Sequence, residues 1–337
     1  MCAIYVIAAL VVFSMNISEI PSMLGLIVRS GLPDWLGGAS ADASGAFLGG
    51  TFGYAAMWGV KRALFSSEAG QGSSPIAHSA AKTDEPVREG VVAGLEPFID
   101  TIVVCTLTAL VILSTGAYNR EAESEFLDAS SVKIVQAEDS TPENPSWTLE
   151  TPALPTMTAD ARRIRQSPEH NSGWRDGEVV FFIVAADENT DTGRNLRKIS
   201  GLVSRDDSDV WSANWGTLDS QQVPVLREHE DGTVDLGIYG EYAGASLTAY
   251  AFDRQFPGLG KWLVSIAAWL FAISTMISWS YYGEQGIYYF VGNMGDKFAK
   301  NAAFIYKIIY ALLILLTTIL AMPLFGPEKK AFIATDH

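Results

Sequence analysis

The sequence predicts an all-α polytopic membrane protein that carries one small, β-rich soluble insert. The 337 residues are 48% hydrophobic with a positive mean hydropathy, yet the net charge is −15. The charge is concentrated: residues 118 to 258 hold 25 of the 38 carboxylates but only 12 of the 23 Lys and Arg. Membrane-length apolar runs occupy the remainder. A single soluble domain rarely combines these features, so we interpret the chain as membrane helices interrupted by an acidic insert.

Three apolar runs have the length of a membrane span. A helix needs about 20 apolar residues to cross the hydrocarbon core, and the runs that reach this length are Val91 to Gly116, Trp262 to Tyr282 and Ala302 to Met322. A fourth run, Met1 to Met15, is short by about a turn. We interpret it as a span that has lost its beginning, and the absence of a basic leader disfavours a signal peptide.

The segment Gly45 to Phe65 also has membrane length, but it contains Gly49, Gly50, Thr51, Phe52 and Gly53 in succession. Glycine is entropically costly inside a helix, so we predict a discontinuous helix. A half-helix end there would offer free backbone groups to a bound solute. Close helix packing through small residues is the alternative.

Basic residues in short loops predict the orientation, because they favour the cytoplasmic side. They fall in two connections, Lys61 to Arg88 and Lys297 to Lys300. We therefore expect the insert to face outward.

The amino-acid composition changes partway along the insert. Residues 118 to about 170 are rich in Ser, Thr, Pro, Glu and Asp, which predicts a linker or weakly ordered chain. Beyond them, short runs rich in Val, Ile, Phe and Tyr predict strands at Glu178 to Ala185, Lys198 to Val203 and Val234 to Tyr239. The two cysteines, Cys2 and Cys105, provide no disulfide framework. Phosphate-binding, zinc and nucleic-acid patterns are absent from the sequence, so we expect no nucleic-acid partner.

Two groups of polar residues lie within the apolar runs. Ser274 and Thr275 are adjacent hydroxyls, and with the carbonyl of Phe271 one turn earlier they offer three oxygens, the ligand type that a hard cation takes. Hydrogen bonding of these hydroxyls to their own helix is the alternative. Asp100, followed by Thr101, is a carboxylate near the start of a span, where it is expensive and marks a functional hypothesis. Its expected partner is Arg62 or a bound cation, and a structural ion pair at the cytoplasmic interface is an equally open alternative.

The stretch from Leu64 to Gly116 resembles the signature region of the alanine or glycine:cation symporters. In that family the pattern is close to RGLFSNEAGxGSAPIAHAAA, then a basic loop, then PFIDTxVVCTxTALVILxTG, and the main departure here is Ser67 in place of Asn. A second match, LFAISTMISWSYYGEQGIYYFVG, runs from Leu270 to Gly292. Gly244 to Phe252 resembles the family segment that follows the first of these spans after a short loop.

The resemblance implies a LeuT-like inverted-repeat fold, present in part. Residues 1–117 correspond to the fifth to seventh family helices, residues 118–245 to an extracytoplasmic insert, and residues 246–337 to the eighth and ninth helices with a tail. It implies sodium-coupled symport of a small neutral amino acid, alanine or glycine. No enzyme chemistry and no cofactor besides the coupling sodium ion are expected.

The resemblance also assigns the site. It implies that Phe271, Ser274 and Thr275 line a sodium site, and that Thr275 and Trp279, four residues apart and hence on one face, look onto the amino acid. We add the glycine-rich break, Gly49 to Phe52, to the substrate site, and Asp100 with Thr101 as a second cation site. Glu284 is expected to pair with a basic residue.

The family resemblance places the chain in the bilayer of a bacterial inner (plasma) membrane, with the insert toward the periplasm or exterior. Several family helices at both ends have no counterpart here, so we expect N-terminal and C-terminal transporter segments to be supplied by a longer protein or a companion chain. The rival hypothesis is a membrane-anchored binding module that displays the acidic β-rich domain, whose charge would attract cations or basic partners.

Overall fold

The computed structural model describes residues 2–31, 57, 59–61, 64, 72–168, 171–189, 194–206, 208–229 and 231–321. The chain divides into two compact units, one made of residues 1–65 with 97–268 and the other of residues 66–96 with 269–337. Each is described by itself below.

The helices, in chain order, are α1 (Cys2–Met15), α2 (Ile20–Gly31), α3 (Ser74–His78), α4 (Pro86–Pro97), α5 (Cys105–Ser114), α6 (Ala159–Arg165), α7 (Ala245–Gln255), α8 (Leu259–Val291) and α9 (Asp296–Ala321). Within the described part of the chain, three helical stretches are long and apolar enough to cross a membrane: Pro86–Ser114, Leu259–Met294 and Asp296–Leu320. They contain almost all of the three full spans predicted from hydropathy, which are thereby confirmed.

The helical structure continues beyond the end of the first apolar run. Helices α1 and α2 meet at a bend of 73°, and the two helices together are long and apolar enough to form one membrane span. The side chain of Asn16, at the bend, donates to the carbonyl of Val12 at 2.8 Å. The amide therefore satisfies a carbonyl at the end of α1, where the helical hydrogen bonds run out. The sequence did not predict α2.

The insert contains two antiparallel sheets. The larger has the strand order β1-β9-β4-β5-β6 with β8 also paired to β4, and the smaller has the order β2-β3-β7. The strands are β1 (Ser124–Glu125), β2 (Lys133–Gln136), β3 (Ser146–Glu150), β4 (Val179–Asn189), β5 (Arg194–Arg205), β6 (Trp211–Trp215), β7 (Leu218–Asp219), β8 (Val225–Leu226) and β9 (Gly237–Gly240). The three predicted strand runs coincide with parts of β4, β5 and β9.

Strand β4 is the centre of the insert because both of its faces are buried. Successive side chains on a strand point to opposite faces. Val180, Phe182 and Val184 enter the main core of the insert, whereas Phe181 and Ile183 pack with Tyr239 on the other face. This explains why the β4 sequence is continuously apolar.

The expected linker at residues 118 to about 170 is wrong. The structure places β1, β2, β3 and α6 there. Apolar residues of this segment, including Phe126, Leu149 and Met157, are buried in the same core as β4. Composition misled the prediction because these anchors are spaced widely among polar residues, and their burial depends on strands that come later in the chain.

Candidate functional site

A π-helical segment, Phe98–Val104, joins α4 to α5 and carries both Asp100 and Thr101. Pro97 precedes it, and because proline has no N–H, the turn before it loses one hydrogen bond. The amide of Cys105 donates to the carbonyl of Asp100, five residues earlier, which is the π spacing. Single π turns within α-helices occur often at functional sites.

The carboxylate of Asp100 is exposed on this segment. Among the described residues, no side chain donates a hydrogen bond to it. Arg62, one of its expected partners, lies outside the described residues. A carboxylate within an apolar helix is a hypothesis for a functional site, and its role stays a prediction.

Phe271, Ser274, Thr275 and Trp279 all lie on α8 and are exposed in this chain. Their spacing places them along one side of the helix. The alternative of hydrogen bonding to their own helix is not seen: within the described chain, neither Ser274 nor Thr275 donates such a bond. By contrast, Thr108 and Thr318 donate to the carbonyls four residues earlier, at 3.0 and 2.8 Å. The oxygens of Ser274 and Thr275 are therefore available.

Helix α9 fixes this part of α8 through three contacts in the second unit. The hydroxyl of Tyr310 donates to the carbonyl of Met276 at 3.2 Å. A Cβ on Gly283 would collide with the hydroxyl of Tyr306, so the glycine allows a close approach of the two helices. Lys307 Nζ lies 2.8 Å from Glu284 Oε2, and the expectation that Glu284 pairs with a basic residue is confirmed.

The glycine-rich break was the remaining part of the predicted site. Gly49, Gly50, Thr51 and Phe52 lie outside the described residues, and their role stays a prediction.

Sequence reasoning missed a cluster around His78. This side chain ends the short helix α3 and contacts two carboxylates of α4: Nδ1 is 2.6 Å from Glu89 Oε1, and Nε2 is 3.2 Å from Glu96 Oε2. From the sequence alone, His78 is expected only to cap or pack its loop. The available signal was the interval of seven residues between the two glutamates, which is close to two helical turns and places both on one face.

A second polar cluster lies within the insert, in the first unit. Arg165 of α6 forms ion pairs with Glu123 and Glu178 and donates to the hydroxyl of Tyr242 at 3.0 Å. Glu123 is only 2% exposed and Arg165 9%. Burial and the neighbouring Glu123 raise the pKa of the Tyr242 hydroxyl, so it remains protonated and donates to Glu123 at 2.6 Å. Burial likewise raises the pKa of Glu178, although Arg165 opposes this.

The comparison with protein families is decisive for the class of protein. The model of the sodium:alanine symporter family matches residues 1–138 and 233–325, which is more than half of the chain. This chain belongs to the sodium:alanine symporter family. The resemblance seen in the sequence is thereby confirmed, and the family is one of membrane transporters. The unmatched interval between the two parts, residues 139–232, falls within the insert.

Curated relatives agree with the family. The sodium/alanine symporter AgcS of Methanococcus maripaludis is 46% identical over 116 residues, which are 34% of this chain and 23% of the relative. The sodium/proton-dependent alanine carrier protein of Bacillus sp. (strain PS3) is 37% identical over 115 residues, 34% of this chain and 24% of the relative. A protein of Bacillus subtilis named probable sodium/glutamine symporter GlnT is 40% identical over 113 residues, 34% and 21% of the two chains.

The chain thus covers about a quarter or less of the length of each of these family members. No protein of known structure matches it.

Proposed function

We propose that this chain forms part of the transport pathway of a sodium-coupled symporter for a small neutral amino acid such as alanine or glycine. Membership of the sodium:alanine symporter family supports the reaction class. The observation that carries the proposal is the pair of available hydroxyls at Ser274 and Thr275, on a helix able to cross a membrane. A polar group there is useful only if something binds it, since lipid offers no hydrogen bonds.

The proposed sodium site consists of the hydroxyls of Ser274 and Thr275 with the carbonyl of Phe271. Sodium binds oxygen, and these three groups lie within about one helical turn. Trp279 lies one turn beyond Thr275 on the same side of α8. Its indole would limit the size of the amino-acid side chain, which is why we propose a small substrate.

Asp100 and Thr101 form the second proposed cation site. The π-helical turn changes the direction of the backbone carbonyls around Asp100, and its carboxylate offers a full negative charge to a cation. The proposal places Gly49 to Phe52 at the substrate as the end of a half-helix, as expected for transporters with broken helices.

We propose a LeuT-like arrangement completed by transporter segments beyond this chain, in the plasma membrane. The large exposed apolar area of α8 and α9 supports this, because such faces require lipid or further helices. The basic residues at Lys61 to Arg88 and at Lys297 to Lys300 favour an outward-facing insert.

The test uses a chimera in which residues 1–325 replace the matching part of AgcS from Methanococcus maripaludis, assayed for sodium-driven alanine uptake in proteoliposomes. Replacing both Ser274 and Thr275 by alanine should raise the sodium concentration for half-maximal uptake about tenfold, since a neutral hydrogen-bond or ligand contact is worth about 0.5–1.5 kcal/mol. The matched control is Thr318→Ala, which removes a hydroxyl already bonded to its own helix. An unchanged sodium dependence in the double variant would remove this pair from the ligand set.

The rival function is a membrane-anchored module that displays the insert for binding. The independent core of the insert favours it. Deletion of residues 120–242 from the chimera separates the two proposals, and it is sterically reasonable because α7 packs against the short helical turn Ala117–Asn119 that precedes the insert. Retained uptake makes the insert an accessory of the transporter. Failure of both chimeras to transport, together with cation or basic-protein binding that requires the insert, would favour the display module.

A further inference from the structure

The ring of His78 lies between two carboxylates, and neither ring nitrogen faces any other described group. A carboxylate only accepts hydrogen bonds when ionised, and a neutral imidazole has a single N–H. With neutral His78 and two ionised glutamates, one of the two contacts would bring a ring lone pair against a carboxylate oxygen. One extra proton removes this conflict, and when it is bound by the ring both ring nitrogens are donors.

We propose that His78, Glu89 and Glu96 form a proton-binding site that holds the short helix α3 against α4. Proton binding converts a cluster of charge −2 into one of charge −1 and completes both hydrogen bonds. This site shares no residue with the proposed sodium and amino-acid sites, and it stands whether or not those proposals hold.

The surroundings of His78 contain few charges that would compete. A groove of about 500 Å³ beside it is lined by α3, the loop that follows and α4, and among its described lining residues only His78 and Glu89 can carry a charge. Glu96 contacts the ring from a position about two turns beyond Glu89 on α4. Glu85 and Arg88 also lie at the start of α4, where they pair with each other at 3.3 Å and are largely exposed.

The direction of the titration follows from these contacts. The hydrogen bond that His78 donates to Glu89, and then that to Glu96, raise the pKa of His78 above its ordinary value of 6.5. A raised pKa means that the stabilising contacts are fully present below about 6.5 and are lost as pH rises through the shifted value. Alkaline conditions should therefore release α3 from α4.

The first test is a histidine ring titration by NMR on the full chain, labelled with ¹³C-histidine in nanodiscs and assigned with His78→Gln. We expect His78 to titrate above 6.5, and Glu89→Gln and Glu96→Gln each to lower its midpoint. Glu85→Gln is the matched control on the same helix and should leave the midpoint unchanged. The resonance of His229, in the insert, reports whether each variant is folded. A midpoint at or below the ordinary value, or one that ignores Glu89→Gln, overturns the proposal.

The second test follows the motion of α3. A spin label at exposed Ala80, in a background with Cys2 and Cys105 replaced by serine, should gain mobility as pH rises through the His78 midpoint. In His78→Gln, which donates one hydrogen bond at any pH, the mobility should not depend on pH. The proposal that a proton holds α3 against α4 is contradicted if the mobility of the label responds to pH in the same way with and without His78→Gln, or responds in neither protein.

Discussion

Hydroxyl groups within the apolar helices fall into two classes that the sequence does not separate. Thr108, Thr317 and Thr318 donate to carbonyls of their own helices, a state that satisfies the hydroxyl in lipid. Ser274 and Thr275 do not, although their immediate sequence is equally apolar. Which class a hydroxyl joins depends on its side-chain rotamer, and that is a property of packing rather than of residue type.

Asp100 permits a sharp prediction at the level of a single atom. Replacing it with asparagine keeps the shape and the π-helical turn but removes the charge, so a cation bound there loses an ionic partner. A hydrogen bond to a charged group is worth about 1.5–3 kcal/mol, which corresponds to a loss of roughly ten- to a hundredfold in apparent affinity. Uptake measured against sodium and alanine concentration in the chimera checks this.

The control for Asp100→Asn is Asp296→Asn, an exposed carboxylate at the start of α9. That change should leave both apparent affinities unaltered. If Asp100→Asn transports with normal affinities while membrane insertion is intact, Asp100 is only a structural residue at the interface.

Sequence reasoning singles out residues whose chemistry is locally visible and misses contacts between distant partners. Asp100 is singled out because a carboxylate in an apolar run is conspicuous whatever surrounds it, and its role stays a prediction. His78 was assigned to packing only, because Glu89 and Glu96 lie on another helix and their approach depends on how α3 folds back.

At the scale of elements, the full spans were predictable because hydropathy and length are local properties. The interruptions within or beside these helices could not be predicted in the same way. The bend at Asn16 and the π-helical turn at Phe98–Val104 each lie inside or beside apolar sequence with little change in composition. The signals were Asn16 and Pro97, single residues whose effect on a helix depends on the hydrogen bonds that neighbours supply.

The insert illustrates the same limit. Its central strands were predicted because β4 is continuously apolar, as a strand buried on both faces must be. Strand β2 pairs with β3, and β3 pairs with the distant strand β7, so this sheet depends on a partner far along the chain. The local composition of this segment is therefore typical of a linker, although the segment is folded.

At the scale of the whole molecule, the insert is attached to membrane helices by more than its two connections. Ile164 of α6 shares a buried cluster with Tyr250 and Phe252 of α7 and with Val12 and Val111 of the apolar helices. The ion pairs of Arg165 with Glu123 and Glu178 lie beside this cluster. Such an attachment fits an insert built into a transporter better than a freely displayed domain.

Arg165 tests that attachment. Replacing it with methionine keeps much of the side-chain volume but leaves Glu123 buried without a cationic partner, and breaking a buried pair in this way costs about 3–5 kcal/mol. We expect a clearly lower melting temperature of the full chain in detergent, followed through tryptophan fluorescence, which includes the buried Trp174.

Arg163→Met is the matched control on the same helix: its pair with Asp160 is solvent-exposed, and such pairs contribute about 0–1 kcal/mol. Adding Glu123→Gln to Arg165→Met should recover part of the loss, since the charge left unpaired is then removed. Equal melting temperatures for the Arg165 and Arg163 variants would mean that the apolar cluster alone holds the insert in place.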